Sequence, residues 1–125
     1  MFGFGKNKKY EQACNQVHGI ILELTRELSP EKINDNRIAR KKMSAFTFGL
    51  CTAIAKEKSL DAPELYYRYL LKGGLNRHSA RVVVERTSLE FIKRDFGQMC
   101  FDAGAQSYED PINAAPVALK SLLDV

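Results

Sequence analysis

The sequence predicts an all-α protein, an antiparallel helical bundle of four main helices with a short C-terminal fifth helix. Three observations predict it. Apolar residues recur at three- and four-residue spacing over long stretches, as they do on helices with one buried face. Capping residues, Pro and Gly fall where those stretches begin and end. The chain has 125 residues, 45% hydrophobic and 27% charged, which suits one domain with a core large enough to need no staples. Residues 1–8 are predicted to be a flexible basic arm, with Gly3, Gly5, Lys6 and Lys8, and residues 9–125 a single helical domain.

The first helix is predicted from about Lys9 to Leu28. Tyr10, Cys14, Val17, Ile21, Leu24 and Leu28 form its seam, and Ala13 and Ile20 widen it. Ser29-Pro30-Glu31 then stops and restarts the chain. The second helix is capped at Asp35 or Asn36 and runs to about Lys58. It carries one stripe through Ile38 or Ala39, Met43, Phe46, Leu50 and Ala53, and another through Phe48, Cys51 and Ala55. Two stripes imply neighbours on two sides, so this helix belongs at the centre.

Asp61-Ala62-Pro63-Glu64 starts the third helix with an Asp cap, an early Pro and a Glu three residues on. Leu65, Tyr66, Tyr69, Leu70 and Leu71 face inward, and Gly73-Gly74 ends it. A long fourth helix is expected from Asn76 to about Ala103, with Val82, Leu89, Ile92, Phe96, Met99 and Ala103 inside and Glu85 as a polar exception. Val82-Val83-Val84 has strand propensity, but the helical period on both sides outweighs it. Gly104 to Pro111 is expected to be a loop. The short fifth helix should follow Asn113, with Pro116 in its first turn and Ala115, Leu119, Leu122 and Leu123 facing the bundle.

Composition excludes several classes. The N-terminus has no apolar core of a signal peptide, and the longest apolar stretch, residues 45–55, is too short to span a bilayer. Cys14, Cys51 and Cys100 are odd in number and widely spaced, which predicts free, buried thiols and a cytoplasmic location. Cys14 and His18, joined by the other two cysteines, would be the most a zinc site could draw on. Each Cys lies on an apolar stripe, however, so no metal and no cofactor is expected. The two histidines fall in different helices and no nucleophile has a local base, so binding is expected rather than catalysis.

The net charge is +4, unevenly placed: residues 1–94 carry 18 Lys and Arg against 10 Asp and Glu, and residues 95–125 carry 1 against 5. That asymmetry suits either an anionic partner or pairing between copies. The segment RHSAR after the double glycine puts Arg77, His78, Ser79 and Arg81 at a helix start, where acidic residues are usual. Unpaired N–H groups and cations there suit a phosphate. A base-reading helix-turn-helix is disfavoured, because the helix continues into the core. Arg37, Arg40 and Lys41 form a second basic run that spreads around its helix and would suit sequence-independent nucleic-acid binding.

Tyr66, Tyr67, Tyr69 and Phe48 are the interface candidates, because the apolar surface looks larger than one chain buries. The leading expectation is a small, soluble helical interaction or adaptor protein that self-associates as a homodimer or pairs with another protein. The alternative is a non-specific binder of nucleic acid or phosphate at residues 77–81.

Overall fold

The computed structural model describes residues 2–26, 31, 35–93 and 97–109. They form α1 (Phe2–Thr25), α2 (Arg37–Lys58), α3 (Ala62–Lys72), α4 (Arg77–Arg86), a π-helical turn (Thr87–Phe91) and α5 (Gly97–Glu109), with no strand among them. The all-helical bundle stands as expected. Leu28, Ser29, Pro30, Phe96 and the short helix expected after Asn113 lie outside the described residues.

The caps act where the sequence places them. The Asn36 side chain accepts from the Ala39 N–H at 3.0 Å, Asp61 from Glu64 at 3.0 Å, and Asn76 from Ser79 at 2.8 Å. Each satisfies a backbone donor that the first helical turn leaves without a partner. Helix α1 begins at Phe2, so the residues expected to be a basic arm extend it, with Lys6, Lys8 and Lys9 exposed.

Helix α2 is central, as its two stripes predict. It packs against α1, α3, the π turn and, most extensively, α5. Leu50, Cys51 and Ile54 are fully buried on it. One core cluster joins them to Tyr10, Val17, Leu65 and Tyr66; a second joins Leu24, Ala39, Ala45, Phe46 and Cys100. A fully buried Leu or Ile contributes roughly 1.5–3 kcal/mol. The Tyr10 hydroxyl accepts from the Asp61 N–H at 3.1 Å, while Leu24 packs with Ala39. Helix α1 therefore runs antiparallel to α2.

The expected long fourth helix needs correction. Helix α4 runs directly into the π turn, α5 is a separate element from Gly97, and Leu89 and Met99, placed inside by the sequence reading, are 57% and 54% exposed. Glu85, the polar exception, is exposed too. Ile92 and Ala103 pack on the core as expected, but a single period fails at Leu89, where the wider π turn shifts the face that points inward, and at Met99. The buried positions are small ones: Ala80, Thr87, Gly97, Cys100, Gly104 and Ser107. The expected loop after Gly104 is also helix, as far as Glu109.

Glycine is required at positions 49 and 104 because α2 and α5 meet backbone to backbone. A Cβ on Gly104 would collide with the Phe46 carbonyl oxygen and stand 3.0 Å from the Leu50 nitrogen. A Cβ on Gly49 would collide with the Phe101 carbonyl oxygen. Each glycine lets the other helix approach. The Tyr108 hydroxyl, farther along α5, accepts from the Gln16 amide at 3.5 Å and so reaches α1.

Candidate functional site

The joint between α3 and α4 is built by its glycines. The Gly73 N–H bonds to the Tyr69 carbonyl at 3.0 Å, the Gly74 N–H to that of Leu71 at 3.1 Å, and the Leu75 N–H to that of Leu70 at 3.2 Å. Gly74 has φ of 106°, a conformation that a side chain would strain. Beyond it Asn76 caps α4, so the Ser79 N–H that a phosphate would seek is already bonded. Ser79 is half-buried, and Arg77 and His78 point to solvent. The exposed Arg81 lies over the Tyr67 ring, 4.8 Å from its centroid. Arg37, Arg40 and Lys41 are exposed around the buried Ala39, at the start of a different helix.

Two of the four interface candidates are core residues. Tyr66 is 1% and Phe48 8% exposed, with their rings edge to face at 5.4 Å. Phe48 also meets Phe101 at 5.7 Å. Burial pushes the Tyr66 hydroxyl well above its ordinary pKa, and hydrogen bonds with Ser44 and Thr87 pull the other way. The apolar surplus that suggested an interface is taken up by α5 on one side of α2 and α3 on the other. Tyr67 and Tyr69 are half-buried.

The three cysteines are free and buried. Cys14 and Cys51 share one core cluster, Cys100 belongs to the other, and His18 is exposed. Among the described residues no three of His, Cys, Asp and Glu stand together as a ligand set. Desolvation raises the Cys14, Cys51 and Cys100 thiols above their ordinary pKa. Each is therefore mostly protonated at neutral pH and a poor nucleophile.

A groove that the sequence reading missed runs between α1 and α3. Its volume is ≈ 390 Å³, with Cys14 in its wall, Tyr69, Leu70 and Leu75 as apolar lining, and Asn15, His18 and Lys72 as polar groups. A second groove of ≈ 300 Å³ adjoins it and shares Cys14 and Lys72. Two basic side chains tie α3 to α1 here. Arg68 pairs with Glu64 at 2.9 Å, donates to the Asn7 amide oxygen at 3.1 Å, and covers the Tyr10 ring at 4.3 Å. Lys72 donates to the Asn15 amide oxygen at 2.7 Å. The signal for this groove is the set of polar residues flanking the α1 seam, Asn7 and Asn15, which single-helix periodicity treats as solvent-facing.

Four large apolar side chains are exposed on the elements that carry or adjoin the smaller core cluster. Leu22 is 57%, Ile38 64%, Leu89 57% and Met99 54% exposed. Ile38 adjoins Ala39 and Met99 adjoins Cys100 in the chain, while Leu22 falls between Ile21 and Leu24, all residues of that cluster or packed on it. The cluster also takes Ile92, one helical turn beyond Leu89.

Fold and surfaces together define a small helical bundle with polar-rimmed grooves between α1 and α3 and several exposed apolar side chains among the described residues. No family model, curated protein or solved structure matches the chain. No helix among the described residues is long and apolar enough to cross a membrane.

Proposed function

We propose that this protein is a helical interaction module that pairs with a second copy of itself through the apolar end of the bundle. The observation that carries the reading is the exposure of Leu22, Ile38, Leu89 and Met99 beside one core cluster. Scattered single apolar residues on a surface are ordinary, but a contiguous apolar patch marks an interaction site. These four come from α1, α2, the π turn and α5; Leu22, Ile38 and Met99 each adjoin in the chain a residue of that cluster or packed on it, and Leu89 stands three residues before Ile92, which packs on it. Tyr66 and Phe48 take no part in this version of the interface.

Light scattering on a gel-filtration column tests it. The expected result is a dimer that shifts to monomer when Ile38→Glu and Met99→Glu are combined, with helicity unchanged because both positions are exposed. A wild-type protein that stays monomeric at high concentration overturns the proposal.

The alternative, binding of nucleic acid or phosphate at residues 77–81, has the exposed Arg77 and His78 in its favour. The Asn76 cap and the seat of Arg81 on Tyr67 count against it. Anisotropy with labelled oligonucleotides at low salt decides, since electrostatic affinity is strongest there.

A further inference from the structure

We infer that the groove between α1 and α3 is a binding site for a small organic monocarboxylate with an apolar body, its carboxylate held by Lys72. The volume of ≈ 390 Å³ falls at the lower end of the range for small-molecule sites, about 300–1,000 Å³. Its lining combines Tyr69, Leu70 and Leu75 with a few polar groups at one side. That is the composition of sites that take an apolar body and orient it by one polar end.

The charge on the groove selects the sign of that end. Lys72 and the imidazole of His18 are its basic groups; among the described residues no carboxylate lines it, and Glu11 lies in the adjoining groove. Arg68, in the adjoining groove, is already paired with Glu64. The Lys72 ammonium, by contrast, donates to the neutral Asn15 amide oxygen. An ammonium has three donors, so one bond to Asn15 leaves room for an acceptor on the ligand. A carboxylate gives a charge-assisted bond, stronger than the one to the amide. The lining favours a single charge with an apolar tail over a phosphate ester, because one lysine faces the groove and the rest of the wall is largely apolar. The Cys14 thiol, neutral in the wall, adds apolar surface rather than charge.

Octanoate is the probe. Calorimetric titration of the full chain is expected to give saturable binding, with backbone amide resonances moving at Asn15, His18, Gly73 and Leu75. Lys72→Met keeps the stem and removes the charge; it should weaken binding by about tenfold or more, the cost of one charge-assisted bond. Asn15→Asp is the second variant. It supplies Lys72 with a carboxylate from within the chain and should weaken octanoate binding without touching the apolar wall. Both positions are exposed, so circular dichroism should match the wild type. The inference is overturned by no saturable binding at millimolar octanoate, unchanged affinity in Lys72→Met, or octanol binding as tightly as octanoate. Resonance shifts confined to the end that carries Ile38 and Met99 would also overturn it.

Discussion

Replacing Gly104 with Ala should destabilise the protein, although Ala is the better helix former. In an exposed helix the change gains up to about 1 kcal/mol. Gly104 is buried, however, and the new methyl would meet the Phe46 carbonyl oxygen, with the carbonyl carbon at 2.8 Å and the Leu50 nitrogen at 3.0 Å. Carbon atoms pack at about 3.5–4.0 Å, so the helices must part by roughly an ångström. The obstacle is backbone, which cannot rotate aside as a side chain can. Parting α2 from α5 also loosens Phe48 against Phe101, whose rings stand 5.7 Å apart. Overpacking of this kind costs typically about 1–3 kcal/mol, occasionally more. The upper end applies, leaving a net loss of about 2 kcal/mol after the propensity gain.

Gly19 supplies the control, because it lies in α1, is exposed, and has nothing within 4 Å of an added Cβ. Thermal unfolding followed by circular dichroism should show Gly19→Ala melting at or above the wild-type Tm. Gly104→Ala should melt lower by roughly 10 °C, at about 4–5 °C per kcal/mol for a domain of this size. Gly49→Ala should behave like Gly104→Ala, since its Cβ would stand 2.7 Å from the Phe101 carbonyl carbon. A Gly104→Ala protein as stable as wild type would refute the close contact of α2 and α5.

Two other predictions concern the joint and the buried hydroxyl and thiol groups. Asn76→Ala removes the acceptor for the Ser79 N–H and should cost about 1 kcal/mol in urea unfolding, while Asn76→Asp should keep most of the stability. Stability should fall in alkali: burial raises the Cys51 thiol from an ordinary 9.0 and the Tyr66 hydroxyl from 10.0. Their contribution is therefore fully present below those values and is lost as pH rises beyond them, because the unfolded chain ionises first. Tm measured against pH should stay level up to about 9 and then drop. The Tyr66 phenolate should appear in the absorbance spectrum only as the protein unfolds.

Local features were legible where one segment carries its own reason. Asn36, Asp61 and Asn76 cap helices because a short polar side chain can reach a donor three residues on, wherever the helix sits in the fold. The seam of α1 and the double stripe of α2 could be read because each side of a helix follows its period. The candidate site was read less well. Tyr66 and Phe48 look like surplus apolar surface until α3 and α5 cover them. The groove beside Lys72 needs two helices to exist, and neither shows it alone.

The sequence by itself determined the class of the fold, the central place of α2 and the starts of α3 and α4, and narrowed the cap of α2 to Asp35 or Asn36. All of these come from spacing and chemistry within a few turns of chain. Only the tertiary structure decided the elements described between Thr87 and Glu109. The π turn shifts the inward face, Gly97, Cys100, Gly104 and Ser107 are the buried positions of α5 in place of the larger Met99, and Gly104 meets the α2 backbone. A search for large apolar residues passes over such a seam, because its strength lies in how closely two backbones approach, and that is a property of the pair.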